Sequence, residues 1–317
     1  MIKANKYYIL STFVLGCLFL GAFTKSKMSI EQLGEKLFFD PILSRDSTIS
    51  CASCHKPEFA FADNRPFSKG INGQLGKRNS PSVMNMSARP YFFYDGRAET
   101  LEDQVLHPIQ DPVEMGSNLH ELYIKLKSHN LYSKAFFSLY NDTFQLTQMQ
   151  AALAAYMRTL ETDDTDNDRW LMDESPGLTP LQIEGRNLFF SARAKCSECH
   201  FTPDFTDDAF KNIGLYDGKN YRDSGRAKIT KNPNDLGLFK TPGLRNVAMT
   251  APYMHDGSIK TLEKVIDYYN DPKKLVPHSI NQDSLLFKPL GLTKLEKKSL
   301  VAFLHSLTDD QFKKIKN

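Results

Sequence analysis

The sequence has no excess of charge of either sign. Its 317 residues include 40 lysines and arginines and 37 aspartates and glutamates, a formal net charge of +3 at pH 7. Residues 1–27 contain four of the lysines and no acidic residue, so the remaining chain holds 36 basic against 37 acidic residues. A nucleic-acid-binding domain usually presents a clustered basic surface. The balance of charge therefore argues against a nucleic-acid partner.

Cysteine is scarce, and almost all of it lies in two short motifs. Four of the five cysteines belong to the Cys-x-x-Cys-His sequences at residues 51–55 and 196–200. This spacing is typical of covalent haem c attachment, in which two thiols form thioethers and the adjacent histidine offers its imidazole to the iron. A redox dithiol would not need the histidine, and a zinc site would need more cysteine or histidine at ligand spacing. The sequence therefore predicts two covalent haem c groups, bound by Cys51, Cys54, His55, Cys196, Cys199 and His200.

Long apolar runs are also absent, apart from one at the N-terminus. Lys3 and Lys6 precede an apolar run over residues 7–23, a pattern typical of a signal peptide or an uncleaved signal anchor. The run is at the short edge for a transmembrane helix. Cys17 either resembles a lipoprotein processing site or is simply an apolar residue of the run. We expect a leader over residues 1–27, a periplasmic location for the rest of the chain, and membrane contact only through the leader.

The second half of the chain repeats features of the first. Gly-x-x-Leu-Phe-Phe precedes both haem motifs, at residues 34–39 and 185–190. Further pairs in the same order are Arg78-Asn79 with Arg245-Asn246, Pro90-Tyr91 with Pro252-Tyr253, and Thr100-Leu101-Glu102 with Thr261-Leu262-Glu263. Fixed-period similarity of this kind indicates repeated structural units. We expect two related domains, residues 28–165 and 166–317, which meet near the acidic segment 162–168.

Alternating strand patterns are few, which favours a mainly helical fold. Apolar residues recur at helical spacing over residues 148–161 and 294–307. Capping-box sequences indicate helix starts at Ser29-x-x-Gln32, Thr147-x-x-Gln150, Thr179-x-x-Gln182 and Thr293-x-x-Glu296. Residues 56–99 and 201–260 are predicted to be long loops. Loops of that length are unusual in a compact domain unless they pack against another group. The face of a bound haem would be such a group.

Several ordered segments resemble the bacterial dihaem cytochrome c peroxidases and the related dihaem enzymes of methylamine utilisation. These segments are FFDPILSRDSTISCASCH, GKRNSPSVMN, YDGRAETLEDQ, HPIQDPVEMG, KTPGLRNVAMTAPYMHDGS and TLEKVIDYYN. The resemblance covers residues 29–308 and implies two cytochrome c-like helical domains, each around one haem. It also implies an interfacial calcium ion, held by the side chain of Asn79 and the carbonyls of Thr250 and Pro252, oxygen ligands of the kind calcium takes.

The resemblance assigns roles around the two haems. His55 and His200 match the proximal iron ligands of an N-terminal peroxidatic haem and a C-terminal electron-transfer haem. Glu114 matches the distal carboxylate that helps to split peroxide. Gln104 matches an amide of the same distal pocket.

Three positions depart from the pattern of the dihaem peroxidases. Ile71 stands where a histidine caps the oxidised N-terminal haem, and its side chain cannot bind iron. Tyr94 replaces the tryptophan usually found between the haems, and is either an aromatic spacer or an electron relay. Tyr269 replaces the distal methionine of the C-terminal haem, as in the methylamine-utilisation enzymes. Met254 and Met249 are alternative ligands at that haem.

The duplication itself predicts an open site at the first haem. The Thr-Leu-Glu pairing aligns Tyr269 with Pro108, which has no ligating atom. Peroxide could then reach the iron beside Gln104 and Glu114. Peroxidase chemistry needs an unoccupied coordination position on the iron, where peroxide can bind. It also needs a carboxylate that moves a proton between the two oxygens of the peroxide.

These features predict a periplasmic cytochrome c peroxidase that reduces hydrogen peroxide to water. Its electrons would come from a small donor protein, a c-type cytochrome or a cupredoxin, and the enzyme could form a homodimer. One alternative is an oxidase of the methylamine-utilisation type that acts on a protein substrate, which Tyr269 favours. Another is a non-enzymatic dihaem electron carrier, but a carrier should have both irons capped, and Ile71 and Pro108 argue against that.

Overall fold

The computed structural model describes residues 27–313, and within this range the chain is mainly helical, as predicted. The leader predicted for residues 1–27, including Cys17, therefore lies almost wholly outside the described residues. None of the described helices is long and apolar enough to cross a membrane. The α-helices are α1 (Ile30–Phe39), α2 (Leu101–Gln104), α3 (Leu106–Gln110), α4 (Leu119–Ser128), α5 (Asn130–Tyr140), α6 (Leu146–Arg158), α7 (Asp166–Leu171), α8 (Pro180–Phe189), α9 (Ala227–Thr230), α10 (Leu262–Asn270), α11 (Lys294–His305) and α12 (Asp310–Lys313).

Strand structure is limited to one short antiparallel pair in the described chain. Strands β1 (Phe210–Lys211) and β2 (Phe239–Lys240) pair Phe210 with Lys240 and Lys211 with Phe239. The predicted loops 56–99 and 201–260 contain these strands, isolated bridges, short 3₁₀ turns and α9. Each haem motif lies on such a turn, at Cys51–Ser53 and Cys196–Glu198.

Capping boxes begin three helices where the sequence predicts them. Ser29, Thr179 and Thr293 cap α1, α8 and α11 with reciprocal side-chain and backbone hydrogen bonds. The box predicted at Thr147 and Gln150 is wrong. Helix α6 begins two residues earlier, because Gln145 and Gln148 form the box. The Gln150 amide instead donates to the carbonyl of Glu102, 2.8 Å away, and ties α6 to α2.

Each half is built on the same close crossing of two helices. Helix α1 packs on α6, and α8 packs on α11. A Cβ atom at Gly34 would overlap the carbonyl of Ala152, and one at Gly185 would overlap the carbonyl of Ser299. Glycine thus lets the two backbones touch in both halves. This contact is the physical reason for the glycine that begins both Gly-x-x-Leu-Phe-Phe motifs.

Hydrogen bonds give the register of the duplication. Asn85 and Asn246 both have a left-handed backbone, with φ of 58° and 61°. Each donates its N–H to a carbonyl just past the long helix of its half, at Leu160 and Leu307, and both distances are 2.8 Å. Asn246 therefore corresponds to Asn85. The predicted pairing of Arg78-Asn79 with Arg245-Asn246 is wrong. The two segments share the dipeptide Arg-Asn, but Asn79 does not make the hydrogen bond that Asn85 and Asn246 have in common.

The register is constant through the next segment. Bridges join Phe92 to Ala98 in the first half and Tyr253 to Ile259 in the second, so Phe92 corresponds to Tyr253. The pairing of Pro90-Tyr91 with Pro252-Tyr253 is thus out by one residue.

The acidic segment between the halves is partly buried and well bonded. Thr162 is buried, and its hydroxyl oxygen accepts hydrogen bonds from the amides of both Asn85 and Asn246, at 3.1 and 2.7 Å. Phe312 of α12 returns to the hydrophobic core of the first half. The two halves therefore share their central polar contacts, and the boundary at residues 165 and 166 stays a prediction.

Candidate active site

One large cavity runs between the two halves of the molecule. Its volume is about 1090 Å³, and both His55 and His200 line it. Single small-molecule pockets are commonly about 300–1,000 Å³, so this cavity is large for one ligand. The long loops predicted to need a packing partner supply much of its wall.

The first haem motif presents a neutral imidazole to the cavity. The Nδ1 atom of His55 lies 3.2 Å from the carbonyl oxygen of Phe61 and 3.1 Å from that of Pro81. A carbonyl can only accept, so Nδ1 carries the proton and Nε2 keeps its lone pair. Burial lowers the pKa of His55. This tautomer, oriented by backbone carbonyls, is the form in which histidine binds a metal.

The second motif repeats the arrangement. The Nδ1 atom of His200 donates to the carbonyl of Phe205 at 2.8 Å, and the carbonyl of Pro242 is a further hydrogen-bond partner. Burial again lowers the pKa of the imidazole. Pro81 and Pro242 therefore hold equivalent histidines, in the same register that Asn85 and Asn246 define.

The thiols of both motifs are free and partly buried. Burial raises the pKa of Cys51 and Cys196 to about 12, and that of Cys54 and Cys199 to about 11. The two neutral imidazoles and the Cys196 and Cys199 thiols line the large cavity, and Cys51 and Cys54 belong to the same short motif as the lining residue His55. The residues present thus fit two covalently bound haem c groups.

Three residues predicted for the distal side of the first haem line the cavity together. Gln104 is the last residue of α2, Pro108 lies in α3, and Glu114 lies in the turn that follows. Burial raises the pKa of Glu114, the neighbouring Asp111 raises it further, and Arg97 acts in the opposite direction. The pKa of the Glu114 carboxyl group is therefore shifted toward neutral pH, and a proton-transfer group works best when its pKa is near the working pH.

Ile71 is turned away from the cavity and lies beneath the Glu114 turn. Its side chain is fully buried, and its N–H donates to the carbonyl of Glu114 at 2.8 Å. A Cβ atom at Gly70 would overlap the carbonyl of Val113, so glycine permits this close approach. Ile71 does not belong to the cavity lining. The loop that would carry a capping histidine is packed as a support for Glu114.

Adjacent tyrosines have different surroundings on α10. Tyr269 lines the cavity, whereas the hydroxyl of the buried Tyr268 donates to the carbonyl of Ile213 at 2.6 Å. Burial raises the pKa of the Tyr269 phenol. Of the two alternative ligands, Met254 lines the cavity and Met249 is buried in the core of the first half.

Tyr94 lines the cavity at the junction of the two halves. Its carbonyl accepts the N–H of Lys240 in β2 at 2.7 Å, so a residue of the first half is fixed to a strand of the second. Burial raises the pKa of the Tyr94 phenol. The backbone contact holds the ring at this junction.

Comparison with known proteins agrees with these features. The model of the di-haem cytochrome c peroxidase family matches residues 28–176. The methylamine utilization protein MauG of Methylorubrum extorquens is 36% identical over 282 residues, which cover 87% of this chain and 77% of MauG. Cytochrome c551 peroxidase of Nitrosomonas europaea is 34% identical over 295 residues, covering 92% of this chain and 83% of that protein. The chain belongs to the di-haem cytochrome c peroxidase family.

The solved structure of another protein has the same fold as this chain. The crystal structure of a MauG-like protein associated with microbial copper homeostasis superposes with a TM-score of 0.82 at 34% identity, covering 90% of this chain and 91% of that one. Membership confirms the prediction of a peroxidase-type enzyme and of a di-haem protein at the level of the family.

The three predicted calcium ligands lie on one side of the same cavity. Asn79, Thr250 and Pro252 all line it. The N–H of Asn79 donates to the carbonyl of His255 at 2.8 Å, and its side-chain amide donates to the carbonyl of Arg65 at 2.9 Å, which leaves its Oδ1 as the ligand atom. Within residues 27–313 no group of three or more histidines, cysteines or acidic residues is arranged to hold a metal. The calcium site stays a prediction.

Sequence reasoning missed Arg78, which joins the two halves beside the cavity. Its guanidinium binds both carboxylate oxygens of Asp223 at 2.6 and 2.8 Å, and Asp95 at 2.6 Å. Asp95 is buried and Arg78 largely so. Bidentate pairs of this kind are geometrically specific. A single sequence cannot indicate this contact, because Arg78 and Asp223 lie far apart along the chain.

Proposed function

We propose that this protein is a periplasmic dihaem cytochrome c peroxidase that reduces hydrogen peroxide to water. Residues 28–165 would form the peroxidatic domain and residues 166–317 the electron-transfer domain. The donor would be a small redox protein, a c-type cytochrome or a cupredoxin. One observation carries the proposal: Glu114 and Gln104 line the cavity with Pro108, which cannot bind iron, while Ile71 lies outside it.

The distal residues account for the proton chemistry of the reaction. Reduction of one peroxide consumes two electrons and two protons and yields two water molecules. Haem iron, when bound, would relay the donor's electrons and would provide the binding site for peroxide. Glu114 would take a proton from one peroxide oxygen and deliver it to the other as the bond between them breaks, which is general acid–base catalysis. The Gln104 amide donates a hydrogen bond that orients the peroxide.

The two proximal histidines would bind irons with different roles. His55 would hold the peroxidatic iron and His200 the electron-transfer iron, each oriented by backbone carbonyls. Tyr269, which lines the same cavity as His200, would be a further ligand of the second iron. Tyr94 lies at the junction through which electrons pass from one half to the other, and its bond to Lys240 holds it there.

Calcium would stabilise this junction. The proposed ligands come from Asn79 of the first domain and from the carbonyls of Thr250 and Pro252 of the second. An ion shared between domains fixes their relative position, and with it the separation of the two cofactors. Calcium takes oxygen ligands of these types, with waters completing its coordination.

A second candidate function is favoured by Tyr269. The relative MauG is named a methylamine utilization protein, and this chain places a tyrosine in the cavity near the second haem motif. An oxidase that acts on a protein substrate would react with peroxide but accept electrons poorly from a small cytochrome. Turnover with a reduced donor therefore separates the two functions.

The decisive assay measures peroxide consumption by the haem-loaded protein. Peroxide should be consumed catalytically when a reduced small c-type cytochrome or cupredoxin is present, with two donor molecules oxidised per peroxide. The Glu114→Gln protein with full haem content is the matched control. Consumption of one equivalent of peroxide without donor turnover would instead favour the oxidase.

A further inference from the structure

A smaller pocket adjoins the large cavity at Glu114. Its volume is about 280 Å³, and its wall consists of Arg97, His107, Pro108, Gln110, Asp111 and Glu114. Four of these residues, Arg97, Pro108, Asp111 and Glu114, also line the large cavity. Gln110 and Asp111 are exposed to solvent. The small pocket therefore lies between Glu114 and the surface, and we call it the outer chamber.

We propose that the outer chamber is the entrance through which hydrogen peroxide and protons reach Glu114, and that Arg97 and Asp111, both in the chamber wall, are positioning residues that act on Glu114 through charges of opposite sign. The inference deepens the proposed function and rests on it. Arg97 and Asp111 belong neither to the haem-attachment motifs nor to the predicted distal pair, Gln104 and Glu114. The chamber is polar, as suits a small hydrogen-bonding substrate.

Arg97 is held rigidly at the wall of the chamber. Its guanidinium lies 3.4 Å from the centre of the Phe93 ring, and its Nη1 donates to Asp95 at 2.9 Å. Asp95 is buried and is fixed in turn by Arg78 at 2.6 Å. A cation stacked on a ring and bound to a buried carboxylate has little freedom to move. Its positive charge therefore stays beside Glu114.

Asp111 is fixed in the chamber wall by the turn it helps to form. Its carboxylate accepts the N–H of Val113 at 2.8 Å, and its carbonyl accepts the N–H of Gly116 at 2.8 Å. The first bond needs only one carboxylate oxygen. Asparagine at position 111 retains that oxygen and removes the charge, so the turn can persist without the negative charge.

The other titratable groups around Glu114 come from α3 and from the first haem motif. His107 of α3 lines the outer chamber, and its Nε2 lies 3.7 Å from the carboxylate of Asp103. Cys54 of the first haem motif, whose thiol would become a thioether on haem attachment, lies close enough to Glu114 to interact with it electrostatically. Burial is the main factor that raises the pKa of Glu114, Asp111 adds to it, and Arg97 opposes it.

The two neighbours have opposite effects when they are removed. Without Arg97 the carboxylate loses a stabilising positive charge, so the pKa of Glu114 rises. Without the charge of Asp111 it loses a repelling one, so the pKa falls. Because Glu114 accepts a proton from peroxide as the carboxylate, activity is lost as the pH falls through its pKa. The acid limb of the pH profile therefore moves up in Arg97→Gln and down in Asp111→Asn.

Infrared spectroscopy provides a readout that does not depend on turnover. The carbonyl stretch of the protonated Glu114 side chain, assigned by its loss in Glu114→Gln, is titrated against pH in the haem-loaded protein. We expect the midpoint to move up by about 1 pH unit in Arg97→Gln and down by about 1 unit in Asp111→Asn. Arg97→Lys should restore most of the wild-type midpoint. Arg193→Gln removes an arginine that pairs with Glu296 in the other half, and should leave the midpoint unchanged.

Access is tested by filling the chamber. Gln110→Trp places a bulky ring at the exposed rim and should slow the second-order reaction with peroxide several-fold without moving the infrared midpoint. Glu121→Trp, at an exposed position on α4, is the matched control and should react at the wild-type rate. An unchanged rate in a folded, haem-loaded Gln110→Trp protein would overturn the role of the chamber as the entrance.

The outcomes separate this inference from the proposed function. Midpoints that do not move in Arg97→Gln and Asp111→Asn, or that move in the same direction, would overturn the roles of these two residues. Midpoints that move as stated in a protein that does not turn over with any reduced donor would support the charge inference and contradict the proposed peroxidase function.

Discussion

Pro108 and Tyr269 occupy equivalent positions in the two halves of the molecule. The bridges at Phe92 and Tyr253 give a register that continues through the helix caps Thr100 and Thr261, and this register pairs Pro108 with Tyr269. Both residues line the large cavity. A phenol can bind iron and a proline cannot. The same structural position thus lacks a ligating side chain in one half and carries a phenol in the other.

Two covalent haems are the first testable consequence. Both attachment motifs are complete, and both histidines have the tautomer that binds a metal. We expect a pyridine haemochrome assay to give two haems per chain, and mass spectrometry to show the added mass of both. Replacing Cys51 and Cys54 by alanine should remove one haem. A mass that corresponds to one haem or none in the unaltered protein would contradict the assignment.

Glu114→Gln should remove most peroxidase activity while both haems stay in place. General acid–base groups commonly contribute roughly 10²–10⁴-fold to rate, and the amide cannot carry the proton. The measurement is steady-state turnover with a reduced donor, normalised to haem content. Glu121→Gln on α4 is the matched control, because it makes the same change at an exposed site. Near-normal turnover by the Glu114 variant would contradict the catalytic role of this residue and leave it only a structural one.

Removal of calcium should lower activity by disturbing communication between the haems. Asn79 belongs to the first half, and Thr250 and Pro252 belong to the second, so an ion bound to all three would fix the relative position of the halves. The expected result is slower electron transfer after exhaustive chelation, with recovery when calcium is restored. Metal analysis should confirm the loss. Unchanged turnover in metal-free protein would argue against the site.

Gly34→Ala should destabilise the first half without altering the haem ligands. The added Cβ would overlap the Ala152 carbonyl, and overpacking of this kind commonly costs about 1–3 kcal/mol. Gly76→Ala is the control, because its nearest neighbours would be 3.8 Å away. Denaturant unfolding of the haem-loaded proteins measures the difference. Equal stability of the two variants would show that the helix crossing can relax.

Local chemical patterns could be predicted from the sequence because they depend on adjacent residues. The two haem motifs, the caps at Ser29, Thr179 and Thr293, and the mainly helical fold belong to this group. The cap predicted at Thr147 fails because two overlapping boxes compete, and the contact of Gln150 with Glu102 occupies one of them. A choice of this kind depends on tertiary packing.

Relationships between distant residues could not be predicted in the same way. Asn79 shares a preceding arginine with Asn246, and only the hydrogen bonds of Asn85 to Leu160 and of Asn246 to Leu307 show that Asn85 is the true counterpart. Arg97 likewise becomes a candidate only when its position beside Glu114 is known. The side chains that form the candidate site come from segments separated by many residues.

An open iron site at the first haem is tested most directly by low-temperature electron spin resonance of the fully oxidised, haem-loaded protein. Ile71 lies outside the cavity and Pro108 has no ligating atom, so this iron should be high-spin, while the iron opposite Tyr269 should be low-spin. We expect one signal of each kind, and peroxide added without prior reduction should alter the high-spin signal at once. Two low-spin signals, with activity that appears only after one-electron reduction, would contradict the open site.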